Sequence, residues 1–282
     1  MAGGRPGPTL RLGAVEVTAA GAKRADDTVV TEEPLEVRLA GPDGYYPVAV
    51  TMRTPGADFE LAIGFLYGEG VIGRREDVRR ASYCVAHDIG DEQRYNIVNI
   101  ELAAAPAVAD LARLERHFSM TSACGVCGKA TLGQLRRRGY EVCPPGPQLD
   151  SAVLCSLPDR LRQAQRFFEL TGGLHAAGLF SAAGELLAAR EDVGRHNALD
   201  KLVGWALMSG RLPVRDHVVV VSGRASFELV QKALAAGAVA LCSVSAPSSL
   251  AVELAREFEL TLAGFVRPGR LKLYSGAERV LT

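Results

Sequence analysis

The second half of the chain alternates between two hydrophobic patterns. Short and mostly apolar runs predict β-strands, while segments whose apolar residues recur every three or four positions predict helices. On this basis we expect strands at 175–181, 185–192, 217–222, 240–245, 262–267 and 271–275. We expect helices at 156–173, 197–210, 227–237 and 249–258. Alternation of this kind is typical of a parallel or mixed sheet with helices on both faces.

The first half has a different pattern, in which apolar and polar residues alternate. Residues 35–41 and 45–53 show this alternation on either side of a Pro-Asp-Gly turn, which predicts a β-hairpin. A helix that ends at glycine is expected at 57–70, and a further strand at 95–102. We therefore predict an α/β protein in which a smaller mixed α+β domain precedes a larger α/β domain.

Two segments rich in glycine and proline set the predicted domain boundaries. The start, M-A-G-G-R-P-G-P-T-L, lacks the apolar core of a signal peptide and indicates a flexible tail over 1–15. Residues 119–150 contain a Cys-x-x-Cys loop, a short basic helix and the breaker C-P-P-G-P-Q, which together indicate a hinge segment. The N-terminal α+β domain then spans 16–118 and the C-terminal domain spans 151–282.

Composition and charge exclude several classes of function. The 282 residues are 48% hydrophobic and 23% charged, and 32 basic residues balance 32 acidic ones. A balanced charge gives no reason to expect nucleic-acid binding. The longest apolar run, at 233–242, is too short to span a bilayer, and six cysteines in so long a chain do not indicate a disulfide framework. We therefore predict a soluble cytoplasmic protein that binds neither nucleic acid nor membrane.

Three predicted strand-to-helix junctions contain residues suited to ligand binding. They are E-D-V-G-R-H-N-A at 191–198, S-G-R-A-S-F-E at 222–228 and S-A-P-S-S-L-A at 245–251. Such junctions gather at the carboxyl ends of strands, where open α/β sheets have their binding crevice. Helix-start amides together with Arg195 and Arg224 suit a phosphate or a planar polar base. The basic segment G-F-V-R-P-G-R at 264–270 is a fourth candidate.

Helix caps and turns are the alternative explanation for these junctions, because Gly, Ser, Asn and Pro commonly occupy such positions. Three junctions together, two with an arginine inside the turn, favour a nucleotide-like ligand. His175 and His196 belong to no H-x-x-H or H-x-E pattern, so structural or ligand-orienting roles are favoured over metal binding for both.

The stretch T-S-A-C-G-V-C-G-K holds two closely spaced thiols, Cys124 and Cys127. A structural zinc site needs about four N or S ligands, and the nearest other pair with ligand spacing, Cys84 and His87, is flanked by strand-like sequence. The strand and helix order of the second half suits a zinc deaminase. That chemistry needs H-x-E or C-x-E beside P-C-x-x-C, and no cysteine or histidine here is followed by glutamate at the required position.

Thiol chemistry is the remaining interpretation of the pair. A thioredoxin-type dithiol would follow the first strand of a βαβ unit, whereas this pair follows a hinge-like stretch. A helix start and the nearby Lys129 favour the thiolate form, and flanking glycines let a bulky partner approach. Disulfide exchange and sulfur transfer both fit these features, and the residues alone do not decide between them.

Five long motifs give the chain a resemblance to a known family. They are T-S-A-C-G-V-C-G-K, G-G-L-H-A-A-G-L, E-D-V-G-R-H-N-A-L-D-K, S-G-R-A-S-F-E-L-V-Q-K-A and S-A-P-S-S-L-A-V-E-L-A. From about residue 30 to the C-terminus, the sequence resembles the FdhD family, the sulfur carriers required to make formate dehydrogenase active. The resemblance implies a C-terminal cytidine-deaminase-like three-layer domain and a homodimer.

The resemblance also implies a reaction. A sulfurtransferase of this family accepts sulfur from a cysteine desulfurase as a persulfide on the Cys-x-x-Cys motif. It passes the sulfur to the molybdenum of the bis(molybdopterin guanine dinucleotide) cofactor, a bound substrate that is inserted into formate dehydrogenase, and no permanent metal is implied. By motif, Cys124 corresponds to the persulfide-bearing cysteine and Cys127 to the partner thiol that assists or resolves the transfer.

The segment 265–270 matches the part of the family associated with the guanine dinucleotide cofactor, and the junctions agree with such a ligand. The candidate cofactor-binding residues are Phe265, Val266, Arg267, Pro268, Gly269, Arg270, Arg195, His196, Asn197, Ser222, Gly223, Arg224 and Ser226. Ala123 stands where the family commonly has serine. The other four cysteines match no family motif, and we expect buried or incidental thiols there. The competing interpretation is a chaperone that binds the cofactor without sulfur chemistry.

Overall fold

The computed structural model describes residues 6–41, 43–84, 95–104 and 142–282. The described chain begins with a long antiparallel hairpin of β1 (Thr9–Thr18) and β2 (Gly21–Val30). Residues 9–15, predicted to be part of a flexible tail, instead form most of β1. Backbone pairing along the full length of both strands holds this segment, while most of its side chains are exposed. Exposed strands lack a buried face, so the hydrophobic pattern did not reveal them.

A four-stranded sheet forms the centre of the N-terminal part. Its strands are β3 (Glu33–Gly41), β4 (Gly44–Arg53), β5 (Val78–Tyr83) and β6 (Ile97–Leu102), in the order β4-β3-β6-β5. The predicted hairpin is the antiparallel pair β3–β4. Helix α1 (Asp58–Gly68) packs on this sheet, and its Leu61 and Leu66 share a core with Leu35 and Ile100. A 3₁₀ turn at Arg75–Asp77 precedes β5.

Two helices replace the single helix predicted over 156–173. After β7 (Leu149–Asp150), the chain forms α2 (Ser151–Ala164) and α3 (Arg166–Thr171). Gln165 separates them with a non-helical backbone, at φ −84° and ψ 78°. The carboxylate of Glu191 accepts hydrogen bonds from the backbone N–H groups of Phe167 (3.0 Å) and Phe168 (2.7 Å) at the start of α3. These two N–H groups would bond within a continuous helix, and here Glu191 accepts their hydrogen bonds instead. The local sequence contains no signal for this contact.

A six-stranded mixed sheet forms the centre of the C-terminal part. Its strands are β8 (His175–Ser181), β9 (Leu186–Asp192), β10 (His217–Val221), β11 (Ala240–Ser243), β12 (Thr261–Arg267) and β13 (Arg270–Ser275). They lie in the order β13-β12-β11-β10-β8-β9. β10, β11 and β12 are parallel, and β8 and β13 are antiparallel to their neighbours. Each strand lies within or close to a predicted run, which confirms that part of the sequence analysis.

Helices cover both faces of this sheet. One face carries α4 (Arg195–Met208), α5 (Phe227–Ala235) and α6 (Ser249–Glu257), and the other carries α2. Val219 and Val221 of β10 face the first set, while Val218 and Val220 face α2. A strand buried on both faces needs apolar residues throughout, which explains the run of valines. The likeness to cytidine deaminases stays a prediction. None of the described helices is long and apolar enough to cross a membrane.

Residues 142–150, the described part of the predicted hinge segment, pack against the C-terminal part. Cys143 and Leu149 are buried, and β7 pairs in parallel with β14 (Val280–Leu281), which follows a 3₁₀ turn at Ala277–Arg279. Val142 and Cys143 line a cavity of about 470 Å³ with Arg215 and Gly237, residues that precede β10 and β11. Residue 142, the first described residue after the gap at 105–141, therefore lies at the edge of the sheet where β10 and β11 begin.

Helices α1 and α4 cross in close contact and join the N-terminal and C-terminal parts. Gly64 of α1 and Gly204 of α4 lie at the crossing. A Cβ at Gly64 would overlap the carbonyl oxygen of Asp200, and a Cβ at Gly204 would overlap that of Glu60. Glycine is required at both positions because the two backbones touch. Arg190 of β9 adds a hydrogen bond from Nη2 to Glu60 Oε1 at 2.8 Å.

Candidate functional site

The predicted junctions and the segment 264–270 meet at one edge of the six-stranded sheet. β10, β11 and β12 end there, and the loops that follow them are joined by backbone hydrogen bonds. The Ser245 N–H donates to the Gly223 carbonyl (3.4 Å), and the Phe265 N–H donates to the Ser245 carbonyl (3.1 Å). β9 is parallel to β10 through β8 and ends at the same edge. We name this edge the crevice edge, formed by residues 192–197, 222–226, 245–248 and 265–270.

Three helices start at the crevice edge. Ser226 caps α5 by accepting a hydrogen bond from the Leu229 N–H (3.5 Å), and Ser248 caps α6 through the Ala251 N–H (3.3 Å). α4 starts after Gly194, and no side chain in the described residues caps it. The first N–H groups of α4 are therefore left for solvent or an anion.

Four arginines bring positive charge to the crevice edge. They are Arg195, Arg224, Arg267 and Arg270, and none of them takes part in an ion pair within the described residues. The Nε of Arg195 is buried and has no hydrogen-bond partner among those residues. Guanidinium groups without carboxylate partners keep their full capacity for a phosphate.

Arg267 and Arg270 flank a tight turn. Pro268 and Gly269 join β12 to β13, and Gly269 has φ 75°, a left-handed conformation that favours glycine. The two arginines are paired across this turn and both are exposed. The turn therefore presents two positive charges side by side at the tip of the hairpin.

The residues before the turn have different roles. Phe265 has a left-handed backbone at φ 52°, a strained conformation for an aromatic residue, and the Nζ of Lys272 lies 5.1 Å from the centre of its ring. Val266 is 1% exposed and belongs to the core beneath α2. Val266 is among the predicted cofactor-binding residues, but its side chain packs in this core and does not face a ligand.

His196 lies at the crevice edge and His175 lies next to it beside Gly223, and the pKa of each imidazole is shifted towards the neutral form. His196 Nε2 is 3.1 Å from Ser226 Oγ and 3.2 Å from Glu228 Oε2. Burial lowers the pKa of His196 to about 4, and nearby cations such as Arg195 act in the same direction while Glu228 opposes them. Burial and Arg195 also lower the pKa of His175. Neutral imidazoles offer one donor and one acceptor each, which suits orienting a ligand.

Asn197, another predicted cofactor-binding residue, connects the crevice edge to the N-terminal part. Its Nδ2 donates to the Met52 carbonyl (2.7 Å) and to Asp192 Oδ1 (3.0 Å), while its Oδ1 accepts from the Thr51 hydroxyl (3.2 Å). Both polar atoms of the Asn197 side chain are thus hydrogen-bonded to other residues of the protein. The side chain of Asn197 therefore positions the loop before α4, rather than facing a ligand.

Sequence reasoning missed the buried ion pair beneath this loop. Lys201 is 2% exposed, and its Nζ lies 2.6 Å from Asp192 Oδ2 and 2.8 Å from the Thr54 carbonyl. Thr54 in turn donates its N–H to Asp192 (3.1 Å). One signal was present in the sequence: Lys201 interrupts the apolar face of α4 one turn after Asn197, and a lysine on a buried face needs an acidic partner.

The thiols divide into two groups. Cys124, Cys127 and His87 lie outside the described residues, so the sulfur-transfer, dithiol and zinc interpretations of the pair stay predictions. Cys143, Cys155 and Cys242 are buried, and burial raises the pKa of each thiol, that of Cys242 to about 12. These three fit the expected role of small buried hydrophobic residues, while Cys84 is half-buried.

The sequence and fold have clear relatives. The sequence model of the FdhD/NarQ family matches residues 30–281. The sulfur carrier protein FdhD of Streptomyces avermitilis is 52% identical over 257 residues, which cover 90% of this chain and 89% of that protein. The sulfur carrier protein FdhD of Nocardia farcinica is 49% identical over 273 residues, covering 96% and 95%.

A solved structure has the same fold. It is described as the crystal structure of "a putative formate dehydrogenase accessory protein from Desulfotalea psychrophila", and it superposes with a TM-score of 0.73 at 25% identity. The match covers 97% of this chain and 99% of that one. By the family match and by these relatives, which span most of its length, the chain belongs to the FdhD/NarQ family.

Proposed function

We propose that this protein is a sulfur carrier that takes persulfide sulfur from a cysteine desulfurase and delivers it to the molybdenum cofactor that formate dehydrogenase requires. The observation that carries the proposal is the meeting of three helix starts and four arginines at the crevice edge, where the described residues offer these arginines no ion-pair partner. The names of the relatives support the sulfur-carrier role and the link to formate dehydrogenase.

The crevice edge suits the phosphate groups of a guanine dinucleotide. Arg267 and Arg270, on either side of a two-residue turn, can each donate two hydrogen bonds to phosphate oxygens. The uncapped start of α4 adds backbone N–H groups and the positive end of a helix dipole. The molybdenum cofactor is the substrate here, and the residues of this chain hold it while sulfur arrives.

Sulfur transfer through the cysteine pair can be written with all atoms and electrons balanced. The Cys124 thiolate attacks the outer sulfur of the donor persulfide, the donor S–S bond breaks, and the donor cysteine leaves as a thiolate. The Cys127 thiolate then attacks the inner sulfur of the Cys124 persulfide and releases hydrosulfide for the molybdenum. The two cysteines are left as a disulfide, which an external dithiol reductant returns to the thiols.

The segment between Cys124 and Val142 is long enough for Cys124 to reach the crevice edge. Val142 lies at the edge of the sheet opposite to the crevice edge, and β10, with five residues, spans about 17 Å between the two edges. Eighteen residues separate Cys124 from Val142 in the sequence, and an extended chain of this length reaches about 60 Å. The distance to be covered is thus well within the reach of the segment.

The decisive experiment is intact-mass measurement after incubation with a cysteine desulfurase and cysteine. We expect the wild-type protein to gain one sulfur atom that a reductant removes, and Cys124→Ala to gain none. Cys84→Ala, which changes a half-buried thiol outside the pair, should behave as wild type. The carrier role fails if the wild-type protein gains no reducible sulfur at Cys124 or Cys127.

A second candidate function is a chaperone that binds the cofactor without sulfur chemistry. It is favoured by one observation: arginines and helix starts, which can bind a phosphate without any thiol, meet at the crevice edge. A double variant, Cys124→Ala with Cys127→Ala, separates the two candidates. A chaperone keeps its ability to mature formate dehydrogenase in this variant, while a sulfur carrier loses it.

A further inference from the structure

Thr54, in the loop between β4 and α1, uses all of its polar groups to hold the loop between β9 and α4. Its N–H donates to Asp192 Oδ2 (3.1 Å), its Oγ1 accepts from the Val193 N–H (3.1 Å), and its carbonyl accepts from Lys201 Nζ (2.8 Å). Thr54 is 2% exposed, so water does not compete for these groups. One residue of the N-terminal part therefore fixes three positions of the C-terminal part.

The loop that Thr54 holds leads directly into the crevice edge. Gly194 precedes α4, and Arg195 and His196 are the first residues of that helix. No side chain in the described part of the chain caps α4. Asp192 Oδ1 instead accepts from the Gly194 N–H (2.8 Å), while the other oxygen of this carboxylate is bound by Thr54. The direction in which α4 starts thus depends on Thr54.

The neighbours of Thr54 in the sequence keep it in place. Pro55 follows it, and a residue before proline is restricted to extended backbone conformations. Arg53 precedes it and is fully buried, with a hydrogen bond from Nη2 to Asp58 Oδ2 (3.3 Å). The backbone of Thr54 is therefore fixed before any ligand arrives, which is the condition for a group that must position others.

Polar contacts of this kind are an expensive way to join two parts of a protein. Burial of the Asp192 carboxylate and the Lys201 ammonium group costs free energy that an apolar contact would avoid. The crossing of α1 and α4 already joins the two parts without charged groups. Hydrogen bonds are directional, so they set angles as well as distances. The contacts of Thr54 are thus suited to fixing the geometry of the loop before α4.

We infer that Thr54 is a positioning residue of the crevice edge: it holds the loop before α4 so that the free N–H groups of the first helical turn and the side chain of Arg195 are placed for a phosphate. The inference rests on the proposed function for the source of the phosphate, which is the cofactor. Thr54 does not touch the ligand and acts through Asp192 and Val193. The N-terminal part is then needed for phosphate binding, although it contributes no residue to the crevice edge.

Binding of guanosine diphosphate to the full-length protein, measured by calorimetry, tests this role. Thr54→Val replaces the hydroxyl with a methyl group of similar size and leaves the buried Val193 N–H without its acceptor. Thr54→Ser keeps the hydroxyl. We expect Thr54→Val to bind the nucleotide about tenfold more weakly than wild type, and Thr54→Ser to stay within about twofold of wild type.

Thr261→Val is the matched control. Thr261 is fully buried, and its Oγ1 accepts from Arg279 Nη1 at 2.8 Å. It is the first residue of β12, so it lies at the edge of the sheet opposite to the crevice edge. The control makes the same chemical change and removes a buried hydrogen bond, which lowers stability, but we expect it to bind guanosine diphosphate as wild type does. Urea unfolding of both variants confirms that binding is measured on folded protein.

Three results would overturn the positioning role. They are a wild-type protein that binds no guanosine diphosphate, a Thr54→Val protein that binds it as tightly as wild type, and a Thr261→Val or Thr54→Ser protein that loses as much affinity as Thr54→Val. If Thr54→Val does not fold, Thr54→Ala, which also lacks the hydroxyl, decides by the same criteria.

Failure of the positioning role can be distinguished from failure of the carrier role. Incubated with a cysteine desulfurase and cysteine, Thr54→Val should gain one reducible sulfur atom as wild type does, because loading of a thiol needs no bound phosphate. A wild-type protein that gains no such sulfur overturns the carrier role, while the comparison of nucleotide binding still decides the role of Thr54. A protein that gains sulfur but binds the nucleotide equally well with Thr54→Val overturns the positioning role alone.

Discussion

Substituting Gly64 by alanine tests the close crossing of α1 and α4. The new Cβ would overlap the Asp200 carbonyl oxygen and would lie 2.7 Å from the carbonyl carbon of Asp200 and 2.8 Å from the Gly204 nitrogen. Ordinary contacts need about 3.5 Å, so the helices must separate by about 1 Å. All three atoms belong to the backbone, which cannot rotate away as a side chain can.

The expected change in stability combines two costs and one gain in free energy. Overpacking of this kind costs about 3 kcal/mol, and a separation of about 1 Å also forfeits a quarter to a half of the dispersion energy of the contacting atoms. Alanine in place of glycine within a helix returns about 1 kcal/mol. We therefore expect Gly64→Ala to lower the free energy of unfolding by at least 2 kcal/mol.

Urea unfolding of three proteins measures this effect. Gly68→Ala is the control, because Gly68 lies one turn later on α1 and its Cβ would meet side-chain atoms rather than backbone: Lys232 Nζ at 3.1 Å, Lys232 Cγ at 3.5 Å and Asp200 Oδ1 at 3.9 Å. We expect the control to stay within about 1 kcal/mol of wild type and the urea midpoint of Gly64→Ala to fall clearly below both. A Gly64→Ala protein as stable as the Gly68→Ala protein would refute the description of the crossing.

Three further predictions concern charged groups. Lys201→Met should lower the free energy of unfolding by about 3 kcal/mol in urea titrations, because it leaves a buried carboxylate without its cation. Arg267→Gln with Arg270→Gln should weaken binding of guanosine diphosphate about tenfold and reduce its salt dependence, whereas Arg215→Gln at the opposite edge should not. The lowered pKa of His196 means that the folded protein resists protonation there, so stability is lost as pH falls from 6.5 towards 4. His196→Gln should show less of this loss, and NMR titration of the imidazole should place its pKa near 4.

The periodic patterns predicted most of the C-terminal fold because its strands and helices bury one or both faces. The run at 217–222 and the helix at 227–237 are clear examples, since neighbouring layers require apolar residues there. The hairpin of β1 and β2 escaped prediction for the opposite reason. Most of its side chains are exposed, and its pairing depends on backbone groups that every residue carries.

The candidate site was predictable in its location but not in its details. Parallel strands bring their carboxyl ends together whatever the loop sequences are, so the meeting of the three junctions followed from topology. The role of Asn197 did not, because it depends on residues distant in sequence. The side-chain amide of Asn197 donates to the Met52 carbonyl, 145 positions earlier in the chain. Short-range patterns contain no information about such contacts.

The pairing of β7 with β14 has a consequence for how the protein is made. Leu149 and Val280 meet in that pairing, and 131 residues separate them in the sequence. A chain that grows from its amino end cannot form the pairing until Leu281 has left the ribosome. Leu149 then stays without its strand partner throughout elongation. A chain interrupted before β14 therefore leaves the edge of β7 unpaired.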